Sequence, residues 1–309
     1  MIRLSKIAFV AVAGLFSVSV SGCFTGIEST PRISDSEVER KKPAATVEET
    51  YLSDISANTG RGIAPGKKWT VADKKISLVM SPPDVAAELN VGDTLTLTAI
   101  NEVVTVDGNR VAELSFSDPR GHSLTRRTAA EVKDLSKQRV EIPFAVETDL
   151  VDAVRTRMLG KSYYLLSSSR TDSTGNMLRG PRFIPATVNS VTAGNTYYPI
   201  KLHLTDARGA GFFLFMTVDE SSSLPGKFSS LLSISDPKLK YPSITDDVWA
   251  LIIDGRVRAG MTKPECRLSF GAPDNIDRQV GYSILREIWT YENGRYLIFS
   301  DGLLESFRQ

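Results

Sequence analysis

Reactive side chains at workable spacing are few in this chain. Its 309 residues include two histidines, His122 and His203, and two cysteines, Cys23 and Cys266. No Cys-x-x-Cys or His-x-x-x-His pattern occurs, so no metal site is expected. His203 alternates with Ile200, Leu202 and Leu204, which turns it away from their apolar side; His122 follows Arg120-Gly121 in a turn. No Gly-x-Ser-x-Gly elbow is present. Gly60 to Lys68 has the glycines of a phosphate loop but the wrong spacing, and it precedes a strand. Asp246 and Asp247 are adjacent acids at a helix start, where the macrodipole accounts for them. Cys266 falls on the apolar side of a short helix, a place for an inert core thiol, with an intermolecular disulfide as the alternative. No catalytic constellation and no cofactor are expected.

The chemistry that remains is covalent modification at Cys23. Arg3 and Lys6 precede an apolar run from Ile7 to Val20, and Ser21-Gly22-Cys23 closes it. The run is too short to span a bilayer and ends in small residues, as a secretory signal does. Ser-Gly-Cys resembles the bacterial lipobox. The resemblance implies that residues 1–22 are removed and that Cys23 becomes the lipidated first residue, carrying palmitate-type acyl chains. One chain binds a membrane marginally and two or three bind stably, since each buried methylene contributes about 0.8 kcal/mol. Phe24 is not the acidic residue that retains such proteins in the inner membrane of enteric bacteria. The expected location is therefore the outer membrane, periplasm-facing.

Composition narrows the partners. The chain has 37 basic and 36 acidic groups; the first 22 residues hold two of the basic and none of the acidic, leaving 35 against 36. A balanced surface gives no footprint for nucleic acid. Residues 23–65 are rich in Thr, Ser, Pro, Lys and Glu, with isolated apolar residues such as Ile55 and Ile63, and read as a flexible tether.

Strand periodicity begins beyond Lys67. Thr94 to Ala99 alternates Thr with apolar residues, and Asp107-Gly108 joins two apolar runs as a hairpin turn. Ile76 to Val79 also reads as a strand. Phe212 to Met216 is apolar on both faces, the pattern of a buried central strand. A helix over Asp149–Leu159, capped by Thr148 and stopped by Gly160, interrupts the strands. Residues 66–240 are expected to form one mostly antiparallel β domain, a sandwich or partly open barrel. Arg126-Arg127, Arg155 and Arg157 read as solvated.

The remaining residues, 241–309, change pattern. Thr245 and Thr262 precede two helices; Thr262-Lys263-Pro264-Glu265 is a capping box. Asn293-Gly294 and Asp301-Gly302 then divide three strands of a meander. This α+β piece, helix-helix-β-meander, carries Gly260-Met261-Thr262, Glu265, Phe270-Gly271-Ala272-Pro273 and Trp289-Thr290-Tyr291. It resembles the SmpA/OmlA (BamE-like) domain of small outer-membrane lipoproteins, and the chain start at Cys23 resembles lipoproteins of Bacteroides-type bacteria. The resemblance implies a role in contacts between envelope proteins.

Three functions fit these residues. The first is a non-enzymatic cell-envelope lipoprotein, membrane-held through Cys23, that binds another envelope protein through Trp249, Met261, Thr262, Tyr291 and Tyr296. The second is a small-molecule or glycan binder that uses the β domain, with Tyr163, Tyr164, Tyr197 or Tyr198 at its mouth. The third is an enzyme assembled from dispersed carboxylates.

Overall fold

The computed structural model describes residues 44–58, 62–135, 140–280 and 285–308. The expected signal segment, Cys23 and Phe24 lie outside the described residues. Ala45–Gln309 form one compact unit. It is α+β, with three antiparallel sheets, one curled into a half-barrel, and few helices. No helix among the described residues is long and apolar enough to cross a membrane.

Helices α1 (Val47–Thr50) and α2 (Ser53–Asn58) come first. They belong to the stretch expected to be a tether, and they are folded onto the body. A capping box starts α1: Glu49 accepts the Thr46 N–H at 2.7 Å, and Thr46 Oγ1 accepts the Glu49 N–H at 3.2 Å. Leu52 and Ile55 are 1% and 6% exposed. Tyr51 donates to or accepts from the Tyr163 hydroxyl at 2.7 Å, and its ring packs 4.7 Å from Phe228. Arg157 is not solvated as expected: it donates to the Tyr51 carbonyl at 2.7 Å and pairs with Asp54 at 2.6 Å. Helices this short are marginal alone, so these contacts hold them.

The first sheet contains β1 (Lys68–Val71), β2 (Thr94–Val104), β3 (Arg110–Ser117), β4 (Ser123–Arg127) and β5 (Ala145–Glu147), in the order β4-β3-β2-β1-β5. Alternation along β2 sends Leu95 and Leu97 into a core with Trp69 and Phe116, whose rings meet edge to face at 5.6 Å. Between β1 and β2, the strand expected at Ile76 to Val79 is a 3₁₀ turn over Lys74–Leu78. Asp73 causes the difference by accepting the Lys75 N–H at 2.9 Å, which folds the chain back. A short helix, α3 (Pro83–Ala87), follows it.

Helix α4 (Thr148–Met158) leads into the second sheet. Thr148 is its first residue rather than its cap; the hydroxyl bonds Thr70 Oγ1 at 3.0 Å. The strands are β6 (Ser162–Leu165), β7 (Ser169–Thr171), β8 (Met177–Arg179), β9 (Pro185–Ala193), β10 (Ile200–Asp206) and β11 (Gly211–Met216). After helix α5 (Phe228–Leu231), β12 (Leu232–Ser233) completes the seven-stranded order β12-β6-β9-β10-β11-β7-β8. Leu150, Val151, Val154 and Met158 of α4 pack on Val188, Val191, Leu202 and Leu204. The two sheets have separate cores, so residues 66–240 hold two sheets rather than one, and the curled half-barrel answers to the partly open barrel of the two expected forms. Pairings such as β1 with β5 and β11 with β7 join strands distant in sequence and leave no local turn signal.

The C-terminal part comprises α6 (Asp246–Ile253), α7 (Lys263–Phe270) and a meander of β13 (Asn275–Val280), β14 (Leu285–Thr290), β15 (Tyr296–Ser300) and β16 (Leu303–Arg308). Four strands form where three were expected. The additional β13 is an edge strand with a mostly polar sequence, which lacks the alternation that marks buried strands. Asp301 and Gly302 both adopt positive φ, at 48° and 88°, as the tight turn between β15 and β16 requires. Arg182 and Phe183 join this part to the second sheet. The Arg182 guanidinium donates to the Leu268 and Ser269 carbonyls at the end of α7, its N–H donates to the Ile253 carbonyl at 3.0 Å, and Phe183 packs on Trp249 at 5.5 Å.

Leu52→Ala separates a folded segment from a tether. Loss of a buried leucine is expected to lower unfolding free energy by about 2–5 kcal/mol in urea titrations; an unchanged midpoint would mean that α1 and α2 do not belong to the core.

Candidate functional site

The residues expected to form a protein-binding surface do not form one. Trp249 is 5% exposed, between Phe183 and Tyr241. Met261 and Tyr291 are buried in the same core, where the Tyr291 hydroxyl donates to the Gly271 carbonyl at 3.3 Å. Thr262 is occupied as the cap of α7: its N–H donates to Glu265 at 2.7 Å. Tyr296 is half-buried on β15. The helical and meander periodicities placed these residues on elements correctly, but they did not show which face Phe183, from the second sheet, would cover.

Glu287 and Cys266 in this part are also engaged or buried. Glu287 is buried and accepts from Lys263 at 3.0 Å, Trp289 Nε1 at 3.1 Å and Arg278 at 3.2 Å. Burial raises its carboxyl pKa, but these donors outweigh it and hold the group below the usual carboxylate range. Burial pushes the Cys266 thiol up to about 12, which keeps it protonated and unreactive. Among the described residues, no group of three or more His, Cys, Asp or Glu converges to hold a metal ion.

A different place combines shape with suitable side chains. Residues of β10 and β11 alternate between two faces. Ile200, Leu202 and Leu204 pair with Met216, Leu214 and Phe212 on the core side; Lys201 and His203 pair with Phe215 and Phe213 on the other. Helix α4 covers the core side. The outer side carries an aromatic surface, where His203 stacks on Phe213 at 4.8 Å and Lys201 Nζ lies 4.5 Å from the centre of the same ring. Phe213 and Phe215 are half-buried, so β11 is interior to the sheet yet open on one face, where full burial was expected.

Phe213 and Phe215 form part of a groove of about 520 Å³, within the range of small-ligand sites. Tyr198, Met177, Pro225 and Leu231 supply further apolar wall. Ser167, Ser169, Thr171, Asn195 and Ser230 supply hydroxyl and amide groups. Asn195 Oδ1 accepts the Tyr197 and Tyr198 N–H groups at 3.0 and 2.8 Å, which fixes the loop that carries Tyr198. A Cβ on Gly226 would lie 2.5 Å from Tyr198 Cε1, so only glycine lets the ring rest there.

Of the four tyrosines expected at a mouth, Tyr198 alone lines this groove. Tyr197 is 72% exposed beside a separate cavity of about 270 Å³ between the first two sheets. Tyr163 is buried, and Tyr164 is half-buried on β6. Sequence reading missed Phe213 and Phe215 as site residues because an all-apolar strand signals burial. The discriminating signal was the opposing β10, which alternates polar and apolar residues and therefore has one uncovered face.

No known protein family, curated protein or solved structure matches the chain.

Gly226→Ala is expected to destabilise the fold by about 1–3 kcal/mol through overpacking against Tyr198. Tyr198→Ala in the same chain is expected to relieve that strain. A urea-monitored double-mutant cycle with strictly additive effects would contradict the contact.

Proposed function

We propose that this chain is a lipid-anchored cell-envelope protein that binds a small ligand with an apolar body in the groove over β11. The groove carries this reading: an aromatic floor of Phe213 and Phe215, a Tyr198 wall and a rim of hydroxyl and amide groups, with the charge of the lining Arg170 offset by its buried partner Asp206. Apolar walls supply affinity and a few placed polar groups supply orientation. A ligand that stacks on the phenylalanines and reaches Ser169 or Asn195 with one polar end fits that division. Residues 20–23 support the anchor, at an outer membrane facing the periplasm.

A second reading is a protein-binding role for the C-terminal part, and an open sheet edge favours it. Strand β16 has a strand neighbour on one side only; on its other side Leu304 exchanges backbone hydrogen bonds with Gly260 and Met261, so the open stretch is residues 305–308, where Phe307 is 37% exposed. An extended partner segment adds to such an edge by main-chain hydrogen bonds. Two helices before an antiparallel sheet, with the Thr262–Glu265 capping box formed, support the SmpA/OmlA resemblance as a fold reading; the fold alone assigns no activity.

Fluorescence of the neutral apolar dye N-phenyl-1-naphthylamine is the direct assay. The protein is expected to enhance it saturably, and Phe213→Ser with Phe215→Ser is expected to weaken binding about tenfold or more. Equal binding by wild type and variant would remove the groove from consideration, and competition by neutral oligosaccharides alone would redirect the assignment to glycans. In cells, Cys23→Ser is expected to move the protein from the membrane to the soluble fraction.

A further inference from the structure

A further cavity, of about 200 Å³, lies where the second sheet meets the C-terminal part. Arg179 comes from β8, Arg182 from the segment before β9, and Arg295 from the connection between β14 and β15. Asp254, at the end of α6, is the single acidic residue in the lining, and it is paired at 2.7 Å with Arg208, which lies outside that lining. Three arginines thus line a small cleft without a free counter-charge in its wall.

Their bonding states differ in a useful way. Arg182 is fixed by the Leu268 and Ser269 carbonyls, which also sets the negative end of the α7 dipole against it. Those carbonyls offset part of one charge. Arg295 lies 5.1 Å from the centre of Phe270 and 5.8 Å from that of Tyr291. Such contacts engage the flat face of a guanidinium and leave its N–H edge available. Neither Arg179 nor Arg295 has a carboxylate partner among the described residues. Like charges gathered in a partly enclosed cleft repel, and a bound anion relieves that repulsion.

We infer that this cleft binds an oxyanion, the phosphate or carboxylate end of a ligand, and that Arg179 and Arg295 grip it while Arg182 supplies fixed positive charge. Forked N–H donors match both anions in bidentate geometry. The site draws on the second sheet, both C-terminal helices and the β14–β15 connection, so an occupied cleft ties these elements together. It is separate from the groove over β11, and its test is indifferent to what that groove holds.

The full chain is titrated with inorganic phosphate and, separately, with citrate, by calorimetry and thermal melting, with chloride at equal ionic strength as the reference. A saturable one-to-one isotherm and a raised melting midpoint are expected with at least one of the two anions. Phosphate alone assigns a phosphorylated ligand; citrate alone assigns a carboxylate. Arg295→Gln and Arg179→Gln are each expected to weaken binding about tenfold or more. Arg110→Gln, on a distant exposed pair with Glu102, is expected to leave it unchanged. Arg179 is exposed on a short edge strand, so its variant reports on binding even if Arg295→Gln perturbs folding. No saturable binding, or an equal loss in Arg110→Gln and Arg179→Gln, would overturn the assignment.

Discussion

The two-residue alternation of β10 against β11 is the constraint on which the rest depends. Because opposed residues share a face, burying Leu202 and Leu214 together obliges Lys201, His203, Phe213 and Phe215 to share the other. A one-residue slip would exchange the two sets and expose the core. Burial fixes the register: four α4 side chains lie on the inner face, each worth about 1.5–3 kcal/mol when fully buried. The aromatic surface outside is thus a consequence of how the inside is closed. That open apolar surface is the observation on which the proposed ligand site rests.

Two sets of contacts frame that sheet. At its N-terminal side, Arg157 and Tyr163 hold α1 and α2, and Glu48 accepts from Ser233 at 2.9 Å, next to the β12 edge. Toward the C-terminus, Arg182 and Phe183 meet the ends of two helices and the face of Trp249. Within the sheet, Arg170 and Asp206 form a buried pair at 2.8 Å that ties β7 to β10. Removing one member of such a pair leaves the other charge uncompensated. Its geometry holds the short strands β7 and β8 that wall the groove.

Most local signals in the sequence held, the Ile76 to Val79 strand and the Thr148 cap excepted, and long-range ones were absent. Asp107-Gly108, Asp301-Gly302, the Thr262–Glu265 box and the β2 alternation each appear where their chemistry places them, because neighbours in sequence suffice to form them. The α1 segment was legible in principle, since Thr46 and Glu49 have capping-box spacing, but a polar, low-apolar composition masked it. The site was less legible. Trp249 and Tyr291 have the residue types of an interface and are core, because Phe183 and Gly271 lie far from one or both in sequence. Phe213 and Phe215 have the types of a core and line a groove, because nothing in their own strand records that one face stays uncovered. The arginine cleft was invisible for the same reason: its three members sit on segments that only the tertiary fold unites.

Methyl-resolved NMR tests the central claim, that the open face of β11 is a ligand site, most directly. Met177 and Leu231 line the groove, whereas Met261 and Leu297 lie in the C-terminal core. Titration with N-phenyl-1-naphthylamine is expected to shift the Met177 and Leu231 methyl signals saturably, through the ring current of the bound dye, and to leave Met261 and Leu297 in place. Shifts confined to the C-terminal methyls, or absent from Met177 and Leu231 while the dye binds, would contradict the account.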